Sequence, residues 1–158
     1  MAIYLKVEGI DGNVTAEGHE KWIDCGSLQW GVGRGIGAPT GAAKDREASY
    51  PSISEVTVTK EMDSSSPYLF TESCVGKGKK VEIHLVRTSA DKLETYMEYV
   101  LSNALISGYS VSSGGDRPTE SLSINFTKIE TKYIPWKDDH TADSPIPAGY
   151  DLALAKKV

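Results

Sequence analysis

Apolar and polar residues alternate along most of this chain, and the alternation predicts a protein built of strands. Ile3, Leu5 and Val7 alternate with Tyr4, Lys6 and Glu8, an opening strand that stops at the turn cluster of residues 9–12. Residues 13–19 are polar and read as a loop. From Trp22 to Val32, Leu28, Trp30 and Val32 oppose Ser27, Gln29 and Gly31, and Trp30 reads as core. Asp24 breaks the first set, so an irregularity is expected near Gly26. Within residues 54–62, Val56 and Val58 oppose Glu55, Thr57 and Thr59; within 81–88, Val81, Ile83 and Leu85 oppose Glu82, His84 and Val86. The longest runs lie in residues 103–135. There Leu105, Ser107, Tyr109 and Val111 alternate with their neighbours, and Leu122, Ile124 and Phe126 alternate with Ser121, Ser123 and Asn125. Gly114-Gly115-Asp116 supplies the backbone freedom for a reversal, so residues 112–118 join the runs as a long hairpin. After Phe126 the apolar positions move to Ile129 and Tyr133, which places a bulge or bend near Lys128.

Other stretches follow different rules. Asp63-Ser64-Ser65-Ser66-Pro67 reads as a helix start, a capping serine with proline at the first helical position. Leu69, Phe70, Ser73 and Cys74 would share its face, Gly76 would close it, and Lys77, Lys79 and Lys80 would sit at its negative end. Residues 91–105 fit two periods. Leu93, Tyr96, Met97, Val100, Leu101 and Ala104 fall at helical spacing behind an Asp91–Glu94 capping box, while Leu93, Thr95, Met97, Tyr99 and Leu101 alternate. Periodicity favours the helix. Residues 138–158 are polar until Tyr150, Leu152 and Leu154 mark a last short strand.

Residues 34–50 have no period at all, and loops beyond about 12–15 residues in a compact domain are functional or mobile. Ile36, Pro39 and Tyr50 offer apolar contact points, and Arg34, Lys44 and Arg46 offer charge. The stretch therefore reads as an arm that orders against another body, with these six as candidate inter-subunit residues.

Composition narrows the function classes. The 158 residues are read as a single domain spanning 1–158, able to bury about 70% of the unfolded surface. A net charge of -5, from 17 basic and 22 acidic residues, argues against nucleic acid and anionic membranes as partners. No apolar run approaches the ~20 residues of a membrane helix, and no secretory signal opens the chain. Cys25 and Cys74 are expected to be free thiols.

Candidate chemistry is sparse. Gly33-Arg34-Gly35-Ile36-Gly37-Ala38 has dinucleotide-like spacing, but Pro39-Thr40-Gly41 cannot open the helix that such a site needs. The Gly–Lys run of residues 76–80 lacks P-loop spacing. His19, His84 and His140 are far apart, and His84 is on the outward parity of its strand. Asp138, Asp139, His140 and Asp143 read as a solvated loop rather than a metal site, and no nucleophile–base pair stands out. The expectation is no enzyme, no cofactor and no metal. A ligand-binding barrel would need an open interior, which Trp30, Leu122, Ile124 and Phe126 are expected to fill.

Six stretches covering nearly the whole chain carry a resemblance: AIYLKVEGIDG, LQWGVGR, PSISEVTVTKEMDSSSPYLF, GKGKKVEIHLVRT, YVLSNALISGYSVSSGGDRPTESLSINFTKIE and YDLALAKKV. They resemble the hemolysin-coregulated protein (Hcp) family, the tube protein of bacterial type VI secretion systems, and its enterobacterial-type branch in particular. The resemblance implies a mainly β fold, a small β-barrel of two packed antiparallel sheets with one short flanking helix and a long extended loop. It also implies strand over residues 96–102, which is taken over the periodicity. Family members form a homo-hexamer that stacks into hollow tubes, with the spike protein, the contractile sheath and effector proteins as further partners. No nucleic acid and no membrane insertion are implied. Export from the bacterial cytoplasm through the machine itself would explain the missing signal peptide, and no fused toxin domain is expected. Ser27 and Gln29, on the parity opposite Leu28 and Trp30, become candidates for the lumen surface that meets cargo.

Overall fold

A computed structural model describes residues 1–37, 41 and 48–158. The alternating runs become strands: β1 (Ala2–Val7), β2 (Ile23–Cys25), β3 (Ser27–Gln29), β4 (Val32–Gly33), β5 (Ser52–Ile53), β6 (Val56–Glu61), β7 (Lys79–Ser89), β8 (Lys92–Ser112), β9 (Thr119–Asn125), β10 (Lys128–Tyr133), β11 (Ile146–Asp151) and β12 (Lys156–Lys157). Helix α1 (Ser66–Val75) lies between β6 and β7. The first sheet runs β12–β11–β10–β8–β7–β1–β2, the second β3–β6–β9–β8, and every pairing is antiparallel.

β8 belongs to both sheets. Up to Ala104 it pairs with β7 and β10, and from Leu105 onward with β9. The change of sheet falls at Asn103, which adopts a φ of 51°. Gly78 faces this bend, and a Cβ there would lie 1.8 Å from Asn103 Oδ1. The opposite corner is Gly26, between β2 and β3, whose N–H donates to Thr59 O at 2.7 Å. No ladder joins β2 to β3, so the two sheets pack as a barrel whose hydrogen bonding stays open while the chain turns the corner. Leu5, Ile23, Val58, Ile83, Leu101, Leu122 and Ile124 are fully buried between the sheets, with Phe126 beside them. Each such side chain contributes about 1.5–3 kcal/mol on burial. Trp30 is half-buried against this core, edge-on to Tyr99 at 5.6 Å.

The long hairpin forms as its sequence predicts, with Ser112 opposite Thr119. The expected bend falls at residues 126–127, where the chain leaves the second sheet to start β10 in the first. The helix that periodicity favours over 91–105 does not form. β7 and β10 flank that segment and satisfy its backbone on both sides, an alternative a helix cannot use. β7 also departs from simple alternation: a register shift between Leu85 and Val86 leaves Leu85 half-buried and sends Val86 inward.

Helix α1 starts where expected, but the carboxylate of Asp63 rather than a serine accepts the Ser65 N–H, at 2.9 Å. Of its predicted face only Leu69 is buried among the apolar residues, while Phe70 and Cys74 are exposed. Gly76 is extended, with φ -65° and ψ 155°, so it does not close the helix by a left-handed turn. The last long strand begins at Ile146, earlier than Tyr150.

Candidate functional site

Strand alternation decides where Ser27 and Gln29 point. Leu28 turns half-buried toward the core, and both neighbours are exposed on the other face of the second sheet. The ladder register extends that face across four strands. Ser27 stands opposite Thr59, Thr59 opposite Ser121, and Ser121 opposite Ser110; Gln29 stands opposite Thr57, and Thr57 opposite Ser123. Ser27 Oγ and Thr59 Oγ1 share a hydrogen bond of 2.6 Å, and Ser107 Oγ donates to Ser123 O at 3.1 Å and to the Glu55 carboxylate. The result is a wall of hydroxyls with one amide, with Glu55 near one margin and the Glu61–Arg117 pair at another. Such a surface offers hydrogen-bond donors and acceptors, with its fixed charges at these margins.

The arm leaves this sheet as a ribbon. β4 and β5 pair Val32 with Ile53 and Gly33 with Ser52. Ser54 N–H donates to Gly31 O at 2.9 Å, Ser49 N–H to Gly35 O at 2.8 Å, and a bridge joins Ile36 to Ala48. Arg34, Ile36 and Tyr50 are exposed, Tyr50 at 79% of its surface; Pro39, Lys44 and Arg46 lie outside the described residues. Gly33 through Gly37 are ribbon, not the strand-to-helix turn of a dinucleotide cradle.

Three polar clusters escaped the sequence reading. Under α1, Lys60 Nζ contacts Glu120 Oε1 at 2.5 Å and Asp63 Oδ1 at 3.1 Å. Ser66 Oγ donates to Glu120 Oε1 at 2.9 Å, and the Tyr109 hydroxyl donates to the other carboxylate oxygen. Burial, reinforced by that carboxylate, pushes the Tyr109 phenol up to about 12. The signal was present: Lys60 continues the inward set of Val56 and Val58, and Glu120 precedes Leu122 and Ile124 on theirs.

Glu94, expected as a helix cap, is fully buried instead, 3.0 Å from Arg87 Nε and 3.0 Å from His140 Nδ1. Ser89 Oγ also reaches His140 Nδ1, at 2.8 Å. Both contacts use one imidazole nitrogen, so this is no serine–histidine–acid relay, which needs both. The arrangement clasps the loop after β10 to the end of the β7–β8 hairpin. The third cluster corrects the reading of the histidines as far apart: His19 Nε2 lies 2.9 Å from His84 Nδ1. Among the described residues no three metal-ligating side chains converge. Cys25 and Cys74 are both free; Cys25 is buried, and burial pushes its thiol up to about 12.

Comparison with known proteins assigns the fold to a family. The profile of the family described as "Type VI secretion system effector, Hcp" matches residues 4–133. A solved structure of a type six secretion system protein is 27% identical, covers 99% of each chain and superposes with a TM-score of 0.90. Protein hcp1 of Pseudomonas aeruginosa is 25% identical over 154 residues, 95% of this chain and 94% of the relative. Hcp1 from Salmonella typhimurium shares the fold at 21% identity, with a TM-score of 0.75 over 99% and 98% of the two chains. With its match spanning most of the strands that build both sheets, this chain belongs to the Hcp family of type VI secretion system effectors.

Proposed function

We propose that this chain is a structural subunit of the type VI secretion tube: it forms hexameric rings that stack into a hollow tube, leaves the cytoplasm through the apparatus, and carries effectors in the lumen. The observation that carries this reading is the hydroxyl face of the second sheet. Its opposite number, the outer face of the first sheet, is charged, with Glu82, Glu98 and Lys132 among its residues. A ring that turned the hydroxyl face inward would present cargo with uncharged hydrogen-bonding groups, whose grip is little affected by salt. Ser27 and Gln29 sit on that wall. The ribbon, with Arg34, Ile36 and Tyr50 exposed, would meet a neighbouring subunit or ring, and spike and sheath would be the remaining partners. The role is mechanical rather than enzymatic.

Native mass measurement of the purified chain tests the ring: six copies are expected, and a strict monomer at high concentration sinks the reading. Gln29→Glu would place like charges around the lumen, and Gln29→Trp would narrow it. Both variants should still assemble and export poorly loaded tubes. Unchanged effector export by both removes Gln29 from the cargo surface.

A further inference from the structure

The outer face of the first sheet carries a feature that the proposed function does not draw on. In the ladders, His84 of β7 stands between Tyr4 of β1 and Glu98 of β8. Over this row folds the loop that joins β1 to β2, held by Gly12 N–H to Lys21 O at 2.7 Å, Val14 N–H to Trp22 O at 3.0 Å and Lys21 N–H to Val14 O at 2.8 Å. The loop is polar in sequence, yet it delivers His19 to the sheet with only 7% of its surface exposed. The His19 and His84 rings meet nearly perpendicular, at 85°, with Tyr4 and Trp22 walling them at centroid distances of 4.5–5.0 Å. His19 Nδ1 is buried without a hydrogen-bond partner.

We infer that the His19–His84 pair is a pH-sensitive latch that seats the β1–β2 loop on the outer sheet face and releases it in acid. In the 2.9 Å bond one imidazole donates and the other accepts, so at least one ring is neutral. One added proton can be shared between the rings. A second would set two imidazoliums N–H against N–H among aromatic rings, and the bond would break.

The counter-charges nearest the pair on the sheet are shared with lysines. Glu98 of β8 lies 3.9 Å from His84 Nε2 but holds Lys132 of β10 at 2.9 Å, and Glu82, on the same strand as His84, holds Lys80 at 2.6 Å. From β1, Lys6 sits 5.9 Å over the Trp22 ring, and the Tyr4 phenol is itself raised by burial. Asp24 of β2 stands opposite Tyr4, with its carboxyl raised by burial. On the loop, Glu20 accepts the Gly18 N–H; its charge, the nearby Glu17 carbonyl and Glu98 across the sheet favour a charged His19, but by less than burial opposes it. Burial is accordingly the largest influence on both histidines and lowers both from the ordinary 6.5. The unfolded or unlatched loop therefore binds more protons than the latched one as pH falls below about 6.5. The stabilisation is complete above that pH and is lost on the way down to the lower folded values.

The test uses the full chain. Histidine ring titration by NMR should show His19 and His84 charging in two separated steps, both below the ordinary value. Compared with about pH 7.5, at about pH 5 the amides of Gly12, Val14 and Lys21 should be less protected, their exchange gaining up to about tenfold over the intrinsic rate for each pH unit below about 6.5. His84→Gln keeps a hydrogen-bonding side chain that cannot charge, and should remove most of that acceleration. His140→Gln, at the other cluster, should leave it intact. Equal loop protection at both pH values, or undiminished acceleration in His84→Gln, overturns the latch. If His84→Gln does not fold, the parent decides: both rings titrating together at the ordinary value with the loop still protected overturns it as well.

Discussion

Single residues show how much one misplaced charge would cost this fold. Lys60 and Glu120 are ion-paired with no side-chain exposure, and the pair ties the start of α1 to the second sheet through Ser66 and Asp63. Glu120→Ala would leave Lys60 buried without its closest partner, and such a loss costs about 3–5 kcal/mol. Glu120→Gln keeps one acceptor oxygen for Lys60 and Ser66 and turns an amide N–H toward the Tyr109 hydroxyl, which can accept it, so it should cost less. Urea unfolding of both variants measures this; a loss under about 1 kcal/mol for Glu120→Ala would mean that Asp63 alone suffices for Lys60. That both charges point inward was legible in the alternation of their strands. That they meet was not, because 60 positions separate them and only the β6–β9 register brings Lys60 opposite Glu120.

At the scale of elements, the fold depends on strands that change sheets. β8 does so at Asn103, whose φ of 51° suits asparagine or glycine and penalises a branched side chain. Asn103→Val should cost about 1–3 kcal/mol and lower the thermal midpoint, whereas Asn103→Gly should be close to neutral. An equal loss in both variants would assign the effect to the Asn103 side chain beside Gly78 rather than to the backbone. The sequence reading found the hairpin, an irregularity near Gly26 and the parity change after Phe126, because turns and alternation are local signals; that Gly26 is a corner between the sheets it did not show. It misread 91–105 because both periods fit those residues. Edges offered by β7, its hairpin partner, and by β10, later in the chain, made the choice.

For the whole molecule, two sheets packed core to core present outer faces of different character, one of hydroxyls and one of charges. The ribbon that leaves the hydroxyl sheet exposes Val32, Ile36 and Tyr50, apolar surface that a neighbouring copy could cover. Deleting residues 38–45 should leave a folded barrel with an unchanged unfolding transition and a particle mass that drops from ring to monomer. Full assembly and secretion by the deletion variant would show that the arm is dispensable. In the proposed ring the His19–His84 latch would face outward, away from cargo, so acid would alter the tube's exterior rather than its lumen.

By itself the sequence determined most of the strands, the helix start, the hairpin, the outward parity of Ser27 and Gln29 and the arm's lack of a period, all of them consequences of side-chain spacing along a local backbone. Only the tertiary structure decided which strands pair and where β8 bends. It also decided that Glu94 is a buried clasp rather than a helix cap, and that a histidine from a polar loop meets one from a strand 65 residues on. The reason is physical: spacing dictates which face a side chain takes, whereas contact between distant faces depends on ladder register and sheet packing, which no short window of sequence contains.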